Sequence, residues 1–179
     1  MRREDFEHVI QAAAAIVEDE IVVVGSQAIL GTHPSPPEAL LMSQEVDVFP
    51  RTRPERAEEI DGAIGDGSLF HATYGYYAHG VGPETAIAPN GWEQRLVKLE
   101  LPSIRHQGES VVAWCLESHD LVLAKLAAGR PQDRAFALDA VRAGVVDRER
   151  LRRGIPLMPP SHRDATGTRL EGILAQARD

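Results

Sequence analysis

Phe6, Val9, Ile10, Ala13 and Ile16 recur at helical spacing between residues 4 and 18, with Glu4, Glu7, Gln11 and Glu18 off that stripe. This pattern predicts an opening amphipathic helix. The run Glu20-Ile21-Val22-Val23-Val24 shows no alternation and ends at Gly25; a β-branched run of that kind suits a central strand buried on both faces. After Gly25-Ser26, residues 27–30 favour a short helix, until Gly31 and the prolines Pro34, Pro36 and Pro37 force a loop. From Gln44 to Phe49 polar and apolar residues alternate, so Glu45 and Asp47 share one face of a strand, Val46 and Val48 the other, and Pro50 closes it.

Residues 54–64 read as a charged helix with Ala57, Ile60 and Ile64 inward, ended by Gly62, Gly65 and Gly67. Between Leu69 and Trp114 come short β-like runs at Tyr76-Tyr77-Ala78, Thr85-Ala86-Ile87, residues 95–101 and residues 111–116. The remainder is helical, over 118–128, 131–143, 148–153 and 161–177. Ser118 and Ser161 are the expected N-caps, Gly129 and Gly144 the expected stops, and Pro131 suits a first helical turn. The expected fold is α/β (α+β), with a small mixed β-sheet flanked by helices. Residues 1–116 form its core, and a helical C-terminal region, 117–179, packs on that core within a single domain.

The chain has 179 residues, 43% hydrophobic and 26% charged, which is ordinary for a globular protein and outside the disordered regime. A net charge of −8 gives no global footprint for long nucleic acids. The single cysteine, Cys115, lies in the apolar run 111–116, which predicts a buried, inert thiol and fits a reducing compartment. The N-terminus runs into an amphipathic helix and the apolar runs are too short to cross a bilayer, so the expected location is cytoplasmic, with no membrane partner. The histidines His8, His33, His71, His79, His106, His119 and His162 show no zinc-ligand spacing, and no Walker loop, GxGxxG or GxSxG occurs.

Glu45-Val46-Asp47 is the most informative triplet, because acids at i and i+2 on a strand lie on one face, about 7 Å apart along the chain. Such a pair can hold Mg²⁺, which takes hard oxygen ligands together with waters and substrate phosphates. It also describes a solvated strand face. Gly25-Ser26 follows a buried strand and begins a helix, where unpaired backbone N–H groups can cradle a triphosphate; it also describes an ordinary turn.

The order strand, Gly-Ser, helix, Pro-rich loop and acid-x-acid strand resembles the polymerase-β-like nucleotidyltransferase superfamily. A second block, Cys115 to Asp133, with Asp120-Leu121 at a helix start, Lys125, then Gly129-Arg130 and Asp133, is similar to a downstream motif of a bacterial branch. That branch holds uncharacterised and toxin-like nucleotidyltransferases related to the toxins of abortive-infection AbiE-type toxin–antitoxin systems. The similarity spans roughly residues 20 to 142. It implies that Gly25 and Ser26 contact phosphates and that Glu45 and Asp47 ligate Mg²⁺ or Mn²⁺. Lys125 then contacts nucleotide phosphate, with Arg130 and Asp133 beside it, and a lysine point charge suits phosphate. On residue chemistry alone, Lys125 snorkels from an apolar helix face, and Asp120 is a structural acid in a first helical turn.

The chain departs from the family pattern in having glutamate, not aspartate, at Glu45, and in offering no third metal carboxylate beyond Glu84 and Glu100, which are candidates by position. Arg148, Arg150, Arg152 and Arg153 form the densest basic cluster, read as a solvated helix face, or as phosphate contacts if the acceptor is RNA. The implied activity is metal-dependent transfer of a nucleotidyl group from an NTP to RNA such as tRNA, or to protein, with a cognate antitoxin as partner. A catalytically silent nucleotide-binding or interaction module, and a metal-dependent phosphohydrolase, remain open on the same residues.

Overall fold

The computed structural model describes residues 1–105 and 108–178, so His106 lies outside the described residues. Its strands are β1 (Ile21–Val23), β2 (Glu45–Pro50), β3 (Tyr77–Gly80), β4 (Val97–Pro102) and β5 (Ser110–Cys115). Its helices are α1 (Arg3–Val17), α2 (Ala28–Thr32), α3 (Ala57–Ile64), α4 (Leu69–Tyr74), α5 (Ser118–Ala128), α6 (Pro131–Arg142), α7 (Arg148–Gly154) and α8 (Pro160–Gln176). The sheet order is β3-β2-β1-β5-β4, with β1 antiparallel to β2 and parallel to β5, β2 parallel to β3, and β4 antiparallel to β5. This is the mixed α+β architecture that the alternation of patterns predicts.

The continuous apolar run of β1 sits mid-sheet with all three residues buried, as a strand covered on both faces requires. On α1, Phe6, Val9, Ile10, Ala13, Ala14 and Val17 are buried, each large side chain contributing about 1.5–3 kcal/mol by leaving water. This helix packs on α3 and on the strands between them in sequence, while α5 contacts α2, α6, α7 and α8. Among the described residues no helix is long and apolar enough to cross a membrane.

Several local expectations are corrected. Thr85-Ala86-Ile87 is not a strand: Pro83–Thr85 forms a 3-10 turn, and the Thr85 and Ala86 N–H groups donate to the carbonyls of Gly82 and Pro83 instead of to a ladder. Residues 69–74, placed within the β-like stretch, form α4, because Ser68 accepts from the His71 N–H at its start and Gly75, at φ 77°, turns the chain at its end. The N-cap of α5 is Glu117, whose carboxylate accepts from the N–H groups of His119 and Asp120. Ser118 instead donates to Thr32 Oγ1 at 3.0 Å and meets His33 Nε2 at 2.9 Å, tying the end of α2 to α5. Helix α8 starts at Pro160 rather than on a serine cap, its φ pre-set by the ring.

The arginine cluster is not a free basic face. Arg148 donates to the carbonyls of Leu174 and Ala177, Arg152 pairs with Glu149 and Glu171, and Arg150 pairs with Glu117, so three of the four fasten α7 to its neighbours. Asp120 accepts two hydrogen bonds from Arg95, at 2.8 and 3.2 Å, which adds a buried ion pair to the helix-dipole role. Cys115 is fully buried and burial pushes its thiol up to about 12.

Candidate active site

The site grows from the junction of β1 and β2. The Val24 N–H donates to the Asp47 carbonyl at 3.0 Å, so the chain leaves β1 alongside the acid strand. It turns at Gly25 with φ +52°. A Cβ at Gly25 would lie 1.9 Å from Asp47 Oδ2, so only glycine lets the loop lie against that carboxylate. Among the described residues the backbone N–H groups of Gly25, Ser26 and Gln27 have no acceptor. The Gln27 side chain is also buried with neither amide atom paired.

Parallel pairing of β2 with β3 sets Glu45 opposite Tyr77 and Asp47 opposite His79. Side chains opposite one another project on the same face, so four polar groups cluster there. The Tyr77 hydroxyl donates to Glu45 Oε2 at 3.1 Å, and His79 Nδ1 lies 2.9 Å from Glu45 Oε1 and 3.2 Å from Asp47 Oδ1. Burial, and then the neighbouring Glu45, push the Asp47 carboxyl up to about 6, against the pull of His79 and Lys125. Burial also works against ionised Glu45, but hydrogen bonds from Asp47, Tyr77 and His79 outweigh it and hold that carboxyl below its usual range. Burial opposes the charged form of His79, yet the two carboxylates hold its pKa above the ordinary value. Burial and Glu45 push the Tyr77 hydroxyl up to about 12.

Helices α5 and α6 close the cleft from the far side. Its volume is about 710 Å³, and Ser26, Glu45, Asp47, His79, Lys125, Arg130 and Asp133 all line it. Gly25 lines a smaller adjoining hollow together with Asp47, Lys125 and Arg130. The structure therefore brings every one of the seven sequence-predicted positions to one place. Lys125 Nζ lies 3.2 Å from Asp133 Oδ1, and Arg130 Nε donates to Asp133 Oδ2 at 2.7 Å. Asp133, with a fully buried side chain, thus positions both cations. Apolar walls at Leu40, Met42 and Phe136 complete the cleft.

The candidate third carboxylates are elsewhere. Glu100 pairs with Lys98 on β4, and Glu84 lines a separate hollow with Trp92 and His162. What stands beside the acid pair is an imidazole, that of His79, rather than a third carboxylate. Its signal was present: Tyr77 and His79 sit at i and i+2 on a strand-like run, the same spacing as Glu45 and Asp47.

A family model described as a nucleotidyltransferase of unknown function (DUF6036) matches residues 4–157. The chain belongs to this family. Nothing among the curated proteins or the solved structures matches it. The matched span takes in the Gly25-Ser26 loop, the acid pair and both cations, and stops short of α8. The donor set fits the divalent ion that such enzymes use. Glu45, Asp47 and His79 each offer one ligand atom, all within 4.8 Å of one another. An octahedral ion with bonds of about 2.1 Å needs donors about 3 Å apart when adjacent and about 4.2 Å when opposite.

Proposed function

We propose that the chain transfers a nucleotidyl group from an NTP to an acceptor hydroxyl, with a divalent ion held by Glu45 and Asp47. The observation that carries this reading is the convergence, in one cleft, of the acid pair with the glycine loop and Lys125. Gly25 and Ser26 receive the triphosphate on N–H groups that no protein acceptor uses. Lys125 and Arg130, set by Asp133, offset the charge that builds on the phosphates. The acceptor oxygen attacks the α-phosphorus while the bond to the departing pyrophosphate breaks in line. An ion bound there supplies Lewis-acid stabilisation of that charge and aligns the reacting oxygens. On this reading residues 1–116 form the core bearing the loop and acids, and residues 117–179 supply Lys125 and Arg130. The proposed acceptor is RNA such as tRNA, or protein, and the proposed partner is an antitoxin. Both rest on the likeness of residues 20–142 to AbiE-related toxins.

The test is a labelled-NTP transfer assay on cell extract with wild type and Asp47→Asn, matched for melting temperature. Asp47→Asn keeps the shape and removes the charge, so it abolishes transfer with little effect on folding. Undiminished transfer by this variant overturns the mechanism. NTP binding without turnover by wild type indicates a silent binding module, and release of orthophosphate or monophosphate with no adduct indicates a phosphohydrolase.

A further inference from the structure

The family reaction asks only for a divalent ion, but the donors on this chain are not all of one kind. Two are carboxylates on β2, and the third, brought in register with Asp47 by the neighbouring strand, is an imidazole. The remaining acids of the cleft stand on α6 rather than in this cluster. Asp133 is engaged by Lys125 and Arg130, and Asp139 lies less than two turns further along the helix. No aspartate or glutamate among the described residues joins Glu45 and Asp47 in a three-donor group.

We propose that His79 is the third ligand of a mixed nitrogen–oxygen centre that takes Mn²⁺ in preference to Mg²⁺; the proposal rests on this cleft being the nucleotidyl-transfer site. Mg²⁺ is small, holds its waters tightly and favours all-oxygen shells, so an imidazole adds little to its binding. Mn²⁺ keeps the octahedral habit and the affinity for carboxylate and phosphate oxygens that this chemistry needs, and it also accepts a nitrogen donor. The spacing leaves the imidazole nowhere better to go. Its Nδ1 already lies 2.9 Å from one carboxylate and 3.2 Å from the other, close to the spacing of about 3 Å between neighbouring ligands of one ion. His79 is also half exposed on its strand, so replacing it disturbs no packed core.

The experiment titrates metal-free full-length protein, without nucleotide, with MnCl₂ and with MgCl₂. Binding is read by loss of the free Mn²⁺ electron paramagnetic resonance signal, by Mg²⁺ competition against it, and by the shift in melting temperature. Wild type is expected to bind Mn²⁺ at least about tenfold more tightly than Mg²⁺. His79→Asp converts the centre to three oxygens and lowers that ratio at least about tenfold, chiefly by gaining Mg²⁺. His79→Ala loses Mn²⁺ affinity at least about tenfold while Mg²⁺ affinity moves less than about threefold; it carries the test if the added carboxylate of His79→Asp impairs folding. An unchanged Mn²⁺-to-Mg²⁺ ratio in His79→Ala overturns the proposal. Transfer activity separates this from the reaction itself. Turnover by a wild type with no metal preference sinks the selectivity alone, whereas Mn²⁺-selective binding with no turnover of any NTP sinks the transfer reading and leaves the centre standing.

Discussion

Replacing Gly25 by alanine tests whether the loop and the acid strand form one device. The substitution acts twice. At φ +52° an L-residue is held in the left-handed region, which costs about 1–2 kcal/mol. The new methyl also arrives 1.9 Å from Asp47 Oδ2 and 2.8 Å from its Cγ, so the carboxylate retreats by roughly 1 Å or more to reach ordinary contact. For a chain of this size the backbone cost lowers the melting temperature by about 2–8 °C. A misplacement of about 1 Å at a reacting centre is worth on the order of 100-fold in rate. Turnover and Mn²⁺ affinity should therefore fall far more than the modest loss of stability suggests. A double-mutant cycle on metal affinity sharpens the point: in the Asp47→Asn background, Gly25→Ala should weaken Mn²⁺ binding little further, because the group it displaces is already disabled. Melting curves, metal titration and the transfer assay on the four proteins give the result. A Gly25→Ala protein that melts lower yet binds metal and turns over like wild type would refute the argument that the loop sets the carboxylate.

Four further outcomes follow from the same geometry. Because the Asp47 carboxyl titrates near 6 and His79, held above its ordinary range, must also shed a proton to ligate, metal affinity should rise by more than about tenfold between pH 5 and pH 7 in isothermal titrations. Its effect on the metal-free fold has the opposite sign. The folded state keeps a proton that the unfolded chain releases near 3.8, so the stability of wild type relative to Asp47→Asn falls as pH rises from about 4 to about 6. Asp133→Asn removes the charge shared by two cations and one of the two oxygens that pair with them, and should cost about 1.5–3 kcal/mol in denaturant melts, together with weaker NTP binding. Lys125→Ala should weaken NTP binding and turnover together, since an ammonium pairs with phosphate already in the ground state, while Mn²⁺ affinity measured without nucleotide does not drop.

The sheet and the acid pair were legible because their signals are local. A β-branched run, an i, i+2 pair of acids and a glycine at a strand end each report on residues a few positions apart. The helices from Ser118 onward were legible through Pro131, Gly129 and Gly144. Two segments departed from the reading. Residues 69–74 fell in a stretch read only for its β-like runs, the first at Tyr76, and the helix there is marked by the cap at Ser68 and the left-handed Gly75. Thr85 to Ile87 has strand composition, but the 3-10 turn that opens at Pro83 takes up the Thr85 and Ala86 N–H groups. His79 escaped for another reason. Its partnership with Asp47 spans 32 positions and depends on β2 and β3 running parallel in one register, which no single segment encodes.

That register has a mechanical consequence. β3 is one of the two edge strands of the sheet, four residues long and held by β2 on one side, whereas β1 lies in the middle. Amides at residues 77–80 should thus exchange with solvent through local fraying, and those of β1 only through opening of the whole fold. An ion gripped from both β2 and β3 is a rivet through that seam. Filling the centre should slow exchange at the β3 rim of the sheet while leaving its middle unaltered, so that a frayed edge strand becomes firm once metal is bound.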